Sequence, residues 1–237
     1  MGAPRIVMTR QLAQGRAWTD RLRTAGLTVL ELPLLTFESL PAPPDLVVGD
    51  FDWILFASPN GVRTFVEAGL KVGHARVGAL GSGTQAALAA AGLSDDVNLP
   101  HNDGAGFVAA FLTAHPEPGR VLLPGPVERR RDIPDALADA GFTGRVLDLY
   151  RTVAVAPVDL PDQPFADGDV VFFCSPSAVT AFAAKWRDRP DAVAIGQTTA
   201  QALDDIAYSH RVAAAPDLDS MVQAIGLSLA GPFSKPE

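Results

Sequence analysis

The sequence predicts a parallel α/β fold built in related halves, and three observations carry that prediction. Strand-like apolar runs alternate with helix-like stretches along the whole chain, the order that parallel sheets with covering helices require. Two long segments repeat one another motif by motif, which means two similar substructures rather than a solenoid. Hydrophobic residues make up 48% of the chain against 19% charged, a balance suited to well-buried cores. At 237 residues, the length fits two small domains better than two large ones.

The elements fall into four pieces. The first predicts a strand over Ile6–Thr9, a helix over Leu12–Ala25 and extended chain through Val29–Phe37. The second predicts strands at Trp53–Ala57, Arg76–Leu80 and Val97–Leu99, each followed by a helix. The third resembles the first, with a strand at Val121–Leu123, a helix ending at Ala140-Gly141 and extended chain over Val146–Val155. The fourth resembles the second, with strands at Val170–Phe173, Val193–Ile195 and Val212–Ala215. Here the match is residue by residue: Ala57-Ser58-Pro59-Asn60-Gly61-Val62 aligns with Cys174-Ser175-Pro176-Ser177-Ala178-Val179, and Leu80-Gly81-Ser82-Gly83-Thr84 with Ile195-Gly196-Gln197-Thr198-Thr199. From serine to threonine the interval is 26 residues in one half and 24 in the other. Val62, Phe65, Val66 and Gly69 recur at helical spacing, as do Val179, Phe182, Ala183 and Trp186, and both sets read as core faces. Proline-rich stretches around Leu40–Pro44 and Pro157–Asp167 read as linkers, and Gly231–Glu237 as a frayed tail.

Composition excludes several classes of function. Cys174 is the only cysteine, so neither an intrachain disulfide nor a thiolate cluster can form. His74, His101, His115 and His210 lack ligand-like spacing, so no metal site is expected. A formal charge of −8 disfavours nucleic acid, whose binding rests on Lys and Arg, and any anionic ligand must be held by a local feature. No apolar run approaches the roughly 20 residues that span a bilayer. The opening Met1–Arg5 carries neither an apolar signal region nor a myristoylation pattern, so a cytosolic location is expected.

In parallel α/β sheets, ligands bind beyond the carboxyl ends of the strands, where helix N-termini present unpaired N–H groups. Ser58-Pro59 and Ser175-Pro176 stand at such ends, serine as N-cap and proline in the first turn. Thr84, Thr198 and Thr199 add hydroxyls in the following helix starts, and Asn60 and Ser177 lie just inside the Ser-Pro turns. Each such motif taken alone is more often a cap than a binding site. Leu80-Gly81-Ser82-Gly83 lacks both the G-x-G-x-x-G spacing and the lysine of a phosphate loop. Arg129-Arg130-Arg131 is the densest positive cluster, for which a solvated charge run is the commoner explanation. Tyr150, at the end of an apolar strand, is read as packing unless a wider pattern assigns it more.

That wider pattern exists. Val7-Met8-Thr9-Arg10, Phe56 with Ser58-Pro59-Asn60-Gly61-Val62, Leu149-Tyr150-Arg151-Thr152, Phe172-Phe173-Cys174-Ser175-Pro176-Ser177-Ala178-Val179 and Ala194-Ile195-Gly196-Gln197-Thr198-Thr199-Ala200 together resemble the uroporphyrinogen-III synthase family, in order, from about Arg5 to Leu229. The resemblance implies two flavodoxin-like parallel-sheet domains, interleaved in sequence: residues 1–38 with 168–230, and 46–154, joined by extended linkers at 39–45 and 155–167. It further implies a monomer that closes hydroxymethylbilane to uroporphyrinogen III in a cleft between domains, inverting the last pyrrole through a spiro intermediate and losing water, without metal or organic cofactor. Tyr150 occupies the family's tyrosine position and becomes the candidate proton donor. Arg10, Ser58, Asn60, Thr84, Arg130, Ser175, Ser177, Thr198 and Thr199 become candidates for holding the substrate's acid side chains. Three departures stand out: Cys174 in place of a common threonine, no serine or threonine in Asn102–Ala105, where no ligand contact is expected, and Asp204–Tyr208 in place of a glycine after Ala-Leu. The rival reading is a non-catalytic tandem α/β sensor of a tetrapyrrole or metabolite, since fold does not fix function.

Overall fold

Strands that are apolar at every position, such as the buried Val170–Phe173, need cover on both faces. The computed structural model describes residues 4–97, 104–129 and 131–229. In chain order its strands are β1 (Ile6–Met8), β2 (Val29–Glu31), β3 (Leu35–Ser39), β4 (Trp53–Phe56), β5 (Arg76–Ala79), β6 (Arg120–Pro126), β7 (Thr143–Ala154), β8 (Val170–Phe173), β9 (Asp191–Ala194) and β10 (Arg211–Val212). The helices are α1 (Leu12–Thr24), α2 (Pro59–Glu67), α3 (Ser82–Ala90), α4 (Gly104–Ala114), α5 (Asp132–Asp139), α6 (Pro176–Lys185), α7 (Gln197–Asp204) and α8 (Leu218–Gln223). The expected strand at Val97–Leu99 lies outside the described residues except for Val97, which sits in a bend. Gly231–Glu237 lies outside them as well.

The chain divides into two units, one made of residues up to Thr36 with those from Val153 onward, the other of Phe37–Thr152. The first unit's sheet runs β2-β1-β8-β9-β10, the order of a flavodoxin-like doubly wound sheet. Its strands pair in parallel, with Ile6 opposite both Val29 and Val170, and Val170 opposite Asp191. In the second unit the order is β3-β7-β6-β4-β5, again with parallel pairings of β4 to β5 and β6, and of β6 to β7. Each unit therefore joins a strand pair from one part of the chain to a Ser-Pro-bearing pair from another, and the two are interleaved in sequence.

Alternation of side chains along the strands sorts the core into two layers per unit. Val7, Val171 and Phe173 meet α6 and α7 through Val179, Phe182 and Leu203, whereas Ile6, Met8, Val170 and Phe172 meet α1 and α8 through Leu22, Leu218 and Met221. The second unit repeats the scheme. Ile54 and Phe56 pack on α2 and α3 through Val62, Phe65 and Leu88, while Trp53 and Leu55 pack on α4 and α5 through Phe107, Phe111 and Leu137. Each large apolar side chain so buried contributes about 1.5–3 kcal/mol, which is why the repeated Phe65 and Phe182 recur at equivalent helix positions.

The division between units falls within β3 and β7. The neighbouring proline-rich segments each pack on one unit. The Leu40 N–H donates to the Leu149 carbonyl at 2.7 Å, and Ala42 and Leu46 lie on the core beneath α2. Leu160 is buried and Phe165 packs beside Trp186 in the other unit. At the base of the first sheet, the guanidinium of Arg5 donates to both oxygens of Asp169, at 2.9 and 2.6 Å, tying the start of β1 to the start of β8. Burial alone pushes the Asp169 carboxyl up, but Arg5 and the Ala166 N–H outweigh it and hold the carboxyl below its ordinary range.

The departure at Asp204–Tyr208 has a visible backbone consequence. Helix α7 closes with the Tyr208 N–H donating to the Leu203 carbonyl and the Ala207 N–H to Asp204, a Schellman arrangement that places Ala207 at φ +51°. The same closure in α2 and α3 uses Gly69 and Gly92, at +72° and +70°. An alanine in that region meets a steric penalty glycine escapes. Ala207→Gly is expected to raise stability by about 1 kcal/mol, read from a higher urea midpoint at unchanged slope; a lower midpoint contradicts the strain. Asp169→Asn is expected to cost about 2 kcal/mol at pH 7. Because the folded carboxyl titrates below its unfolded value, that contribution is present above the unfolded value and is lost as pH falls through the folded one. The gap between wild type and variant in midpoint therefore closes on acidification; a gap that widens contradicts the assignment.

Candidate functional site

A helix that starts at the carboxyl end of a strand leaves its first N–H groups without partners. After β4 the chain reaches Ser58 in extended conformation, φ −158° and ψ 152°, and Ser58 Oγ accepts the Gly61 N–H at 3.1 Å. After β8, Ser175 adopts φ −162° and ψ 156°, and its Oγ accepts the Ala178 N–H at 3.2 Å. Proline opens both helices. The duplicated serines are thus N-caps of one geometry.

The halves differ in what else the serine meets. Ser58 Oγ lies 3.1 Å from the phenolic oxygen of Tyr150 on β7. Tyr150 reaches this point through a register shift: Gly125 on β6 stands opposite Asp148, but the next residue, Pro126, stands opposite Tyr150. Leu149 and Tyr150 are consecutive yet both buried, Leu149 in the core under α2 and Tyr150 on the wall of a cavity. A strand irregularity of this kind re-aims a side chain. The Phe37 ring packs edge-on to Tyr150 with centroids 5.1 Å apart.

The cavity has a volume of about 510 Å³ and lies wholly within the second unit. Leu55, Leu80, Leu123 and Ile133 form its apolar wall. Ser58, Tyr150 and Arg129 supply polar groups, with the exposed Glu128 and Asp132 at its margin. The starts of α2, α4 and α5 all contribute lining residues. Two glycines permit this crowding. A Cβ on Gly61 would stand 3.0 Å from the Pro124 carbonyl oxygen, and one on Gly104 would stand 2.9 Å from an Asp132 carboxylate oxygen and 3.3 Å from Ile133.

Arg129 lies along the carboxyl end of β6, donating Nη1 to the Leu123 carbonyl at 2.8 Å and Nη2 to the Asp148 carboxylate. Burial pushes the Tyr150 phenol up, while the bond to Ser58 and the charges of Arg129 and Arg63 pull it partly back. The net shift is upward, so the phenol is protonated at neutral pH and is equipped to give a proton.

The other sequence candidates are placed as follows. Arg10 is half-buried just beyond β1, its guanidinium 4.6 Å from the Trp18 ring centroid. Its charge faces Cys174, whose thiol burial pushes up to about 11. Thr84 and Thr199 are only 2% and 1% exposed, so their side chains turn into the packing, whereas Thr198 and Ser177 are exposed and Asn60 is half-buried. Of the candidates, Ser58 and Tyr150 share a site in the second unit; Arg10, Ser175, Ser177, Thr198 and Thr199 belong to the first. Arg130 lies outside the described residues. Arg129, rather than the candidate Arg130 beside it, lines the cavity, since a strand ending near Pro126 puts the first arginine of the run on the rim. The sequence suggests no ligand contact at Asn102–Ala105. Asn102 and Asp103 lie outside the described residues, but Gly104 and Ala105 line the cavity. Among the described residues, no group of three or more His, Cys, Asp or Glu side chains is placed to hold a metal ion, and no helix is long and apolar enough to cross a membrane.

Fold and cavity together define a duplicated, doubly wound α/β protein that carries a neutral phenol at the carboxyl ends of its strands. The family model described as Uroporphyrinogen-III synthase HemD matches residues 16–223, and the chain belongs to the uroporphyrinogen-III synthase family. It is 30% identical to the chloroplastic uroporphyrinogen-III synthase of Oryza sativa subsp. japonica over 94% of this chain and 80% of that protein. To the uroporphyrinogen-III synthase of Synechococcus elongatus it is 30% identical over 67% of this chain and 63% of that one. The crystal structure of the Helicobacter pylori uroporphyrinogen-III synthetase shares the fold, with a TM-score of 0.63 at 18% identity over 94% of this chain and 98% of the other.

Proposed function

We propose that this chain is a lyase that cyclises hydroxymethylbilane to uroporphyrinogen III, with Tyr150 as proton donor to the departing oxygen. The observation that carries the role of Tyr150 is a buried, neutral phenol held 3.1 Å from Ser58 on the wall of the cavity. Electron release from a pyrrole nitrogen breaks the bond between the terminal methylene and its hydroxyl oxygen. The oxygen leaves with the bonding pair, takes the Tyr150 proton and departs as water. The substituted α-carbon of the last pyrrole then attacks the electrophilic methylene to give the spiro intermediate. The bond from that carbon to its original bridging methylene breaks, and the freed methylene bonds to the ring's other α-carbon, which inverts the ring and closes the macrocycle. The carbon-bound proton lost as the ring regains aromaticity restores the phenol, so substrate and products balance as one bilane to one macrocycle and one water.

Left to itself the bilane closes without inversion, so the protein's larger task is to hold the chain in a reactive fold. Pockets of about 300–1,000 Å³ suit drug-sized ligands, and a cavity of about 510 Å³ suits the reacting end of the bilane rather than the whole of it. In this reading Asn60 in one unit, Arg10, Ser175, Ser177 and Thr198 in the other, and Arg130 offer hydroxyls, an amide and charge to acid side chains. Thr84 and Thr199 are instead turned into the packing, and Ser58 is committed to Tyr150 and the Gly61 N–H. Proton transfer and positioning suffice for these steps without a cofactor. The proposed proton donor, its serine partner and the cavity all come from one chain, so the site needs no second copy, and a lone cysteine is consistent with a reducing, cytosolic compartment.

The test is to supply freshly made hydroxymethylbilane to the pure protein, oxidise the products and separate the type I and type III isomers. Type III is expected to dominate; the isomer ratio of the buffer alone would overturn the enzymatic reading in favour of a binding protein. In the same assay Tyr150→Phe is expected to lower kcat about 100-fold with an unchanged thermal melt. A wild-type rate would remove Tyr150 from proton transfer.

A further inference from the structure

We infer that Ser58 is a positioning residue for catalysis, coupling the Tyr150 phenol to the N-terminus of α2 and fixing which proton faces the ligand; this rests on the reading of Tyr150 given above. A serine hydroxyl has one proton to donate and two lone pairs. One lone pair of Ser58 is committed to the Gly61 N–H. The remaining lone pair and the proton are what Tyr150, 3.1 Å away, can use. With the phenol donating to Ser58, its proton is withheld from the cavity. With Ser58 donating to the phenol, the phenolic proton is released towards the cavity that both residues line. The two states differ by rotation about two C–O bonds and need no movement of heavy atoms.

The second state is also the one that receives charge well. When the proton leaves, the phenolate oxygen keeps the Ser58 O–H as donor, and Ser58 Oγ remains bound to the first turn of α2. The negative charge is thereby placed in line with the positive end of a nine-residue helix. The guanidinium of Arg129, pinned to the Leu123 carbonyl and Asp148, adds fixed positive charge nearby. In the first unit the equivalent cap, Ser175, has the same backbone geometry and the same bond to its helix. Capping alone therefore explains a serine at both sites, and the tyrosine explains what is particular to Ser58.

Ser58→Gly separates the two roles, because glycine caps helices nearly as well as serine but offers no hydroxyl. The expected result is a kcat reduced about tenfold with KM unchanged and a melt close to wild type, while Ser58→Thr, which restores the hydroxyl, recovers most of kcat. Placed in the Tyr150→Phe background, Ser58→Gly is expected to cause no further loss, since its partner is already gone. A wild-type kcat for Ser58→Gly, a change in KM alone, failure of Ser58→Thr to recover kcat, or a full additional tenfold loss in the double variant would each overturn the inference. If Tyr150→Phe by itself retains the wild-type rate, the reading of Tyr150 fails instead, and the two failures are told apart by that single variant.

Discussion

An N-terminal helical turn placed at the end of a buried strand must find acceptors for its own N–H groups, and the Ser58 hydroxyl meets that need while also meeting Tyr150. Much of the second unit is arranged around this one oxygen. Gly61 lets α2 come within contact of the Pro124 carbonyl, so the cap sits directly over β6. The register shift at Pro126 turns Tyr150 towards the cap. Gly125 leaves room for the guanidinium of Arg129, whose Nη1 would lie 3.3 Å from any Cβ added there. Each accommodation is local, and each acts on the place where phenol, serine and cavity meet.

Duplication explains why such a site arises in one unit and a plainer cap in the other. Both units sort strand side chains onto two helix-covered faces, and both place a Ser-Pro turn after a fully buried four-residue strand. With the scaffold shared, the difference lies in the strand two places along the sheet from that turn. Strand β7 is twelve residues long and brings Tyr150 beside Ser58, whereas its counterpart β2 spans only Val29–Glu31. In the first unit the corresponding rim carries Arg10 over Trp18 and the half-buried Cys174.

The fold was legible where a single residue type has a single use. Buried strands such as Val170–Phe173 and the Ser-Pro caps stand where the pattern put them, because apolar runs must be covered and orphan N–H groups must be capped. The pairing of the four pieces followed from family resemblance, since periodicity says nothing about which strand lies beside which. The site was legible only in part. Tyr150 and Ser58 were named separately, but their contact depends on the irregularity between Gly125 and Pro126, which leaves no mark in the hydrophobic pattern. A place in a first helical turn makes Thr84 and Thr199 candidate hydroxyl donors, yet on a helix the direction of a side chain changes by about 100° per residue, and both turn inwards. A run of three arginines reads as solvated charge, and the role of Arg129 emerges only where β6 supplies a carbonyl and β7 supplies Asp148. The missing glycine in Asp204–Tyr208 is visible in the sequence, and the backbone at Ala207 shows what that absence entails.

The chemistry assigned to the cavity requires a phenol that stays protonated beside two arginines yet gives up its proton to a ligand. Burial supplies the first condition, and Ser58 with Arg129 and Arg63 supplies the second. The balance between them is directly observable, since the chain has only two tyrosines and Tyr208 is occupied in donating to the Pro190 carbonyl. The decisive measurement is a pH titration of the tyrosine ring-carbon resonances by NMR, with Tyr150 assigned by its loss in the phenylalanine variant. The account predicts that Tyr150 ionises above the ordinary tyrosine value of about 10; ionisation at or below that value would contradict it.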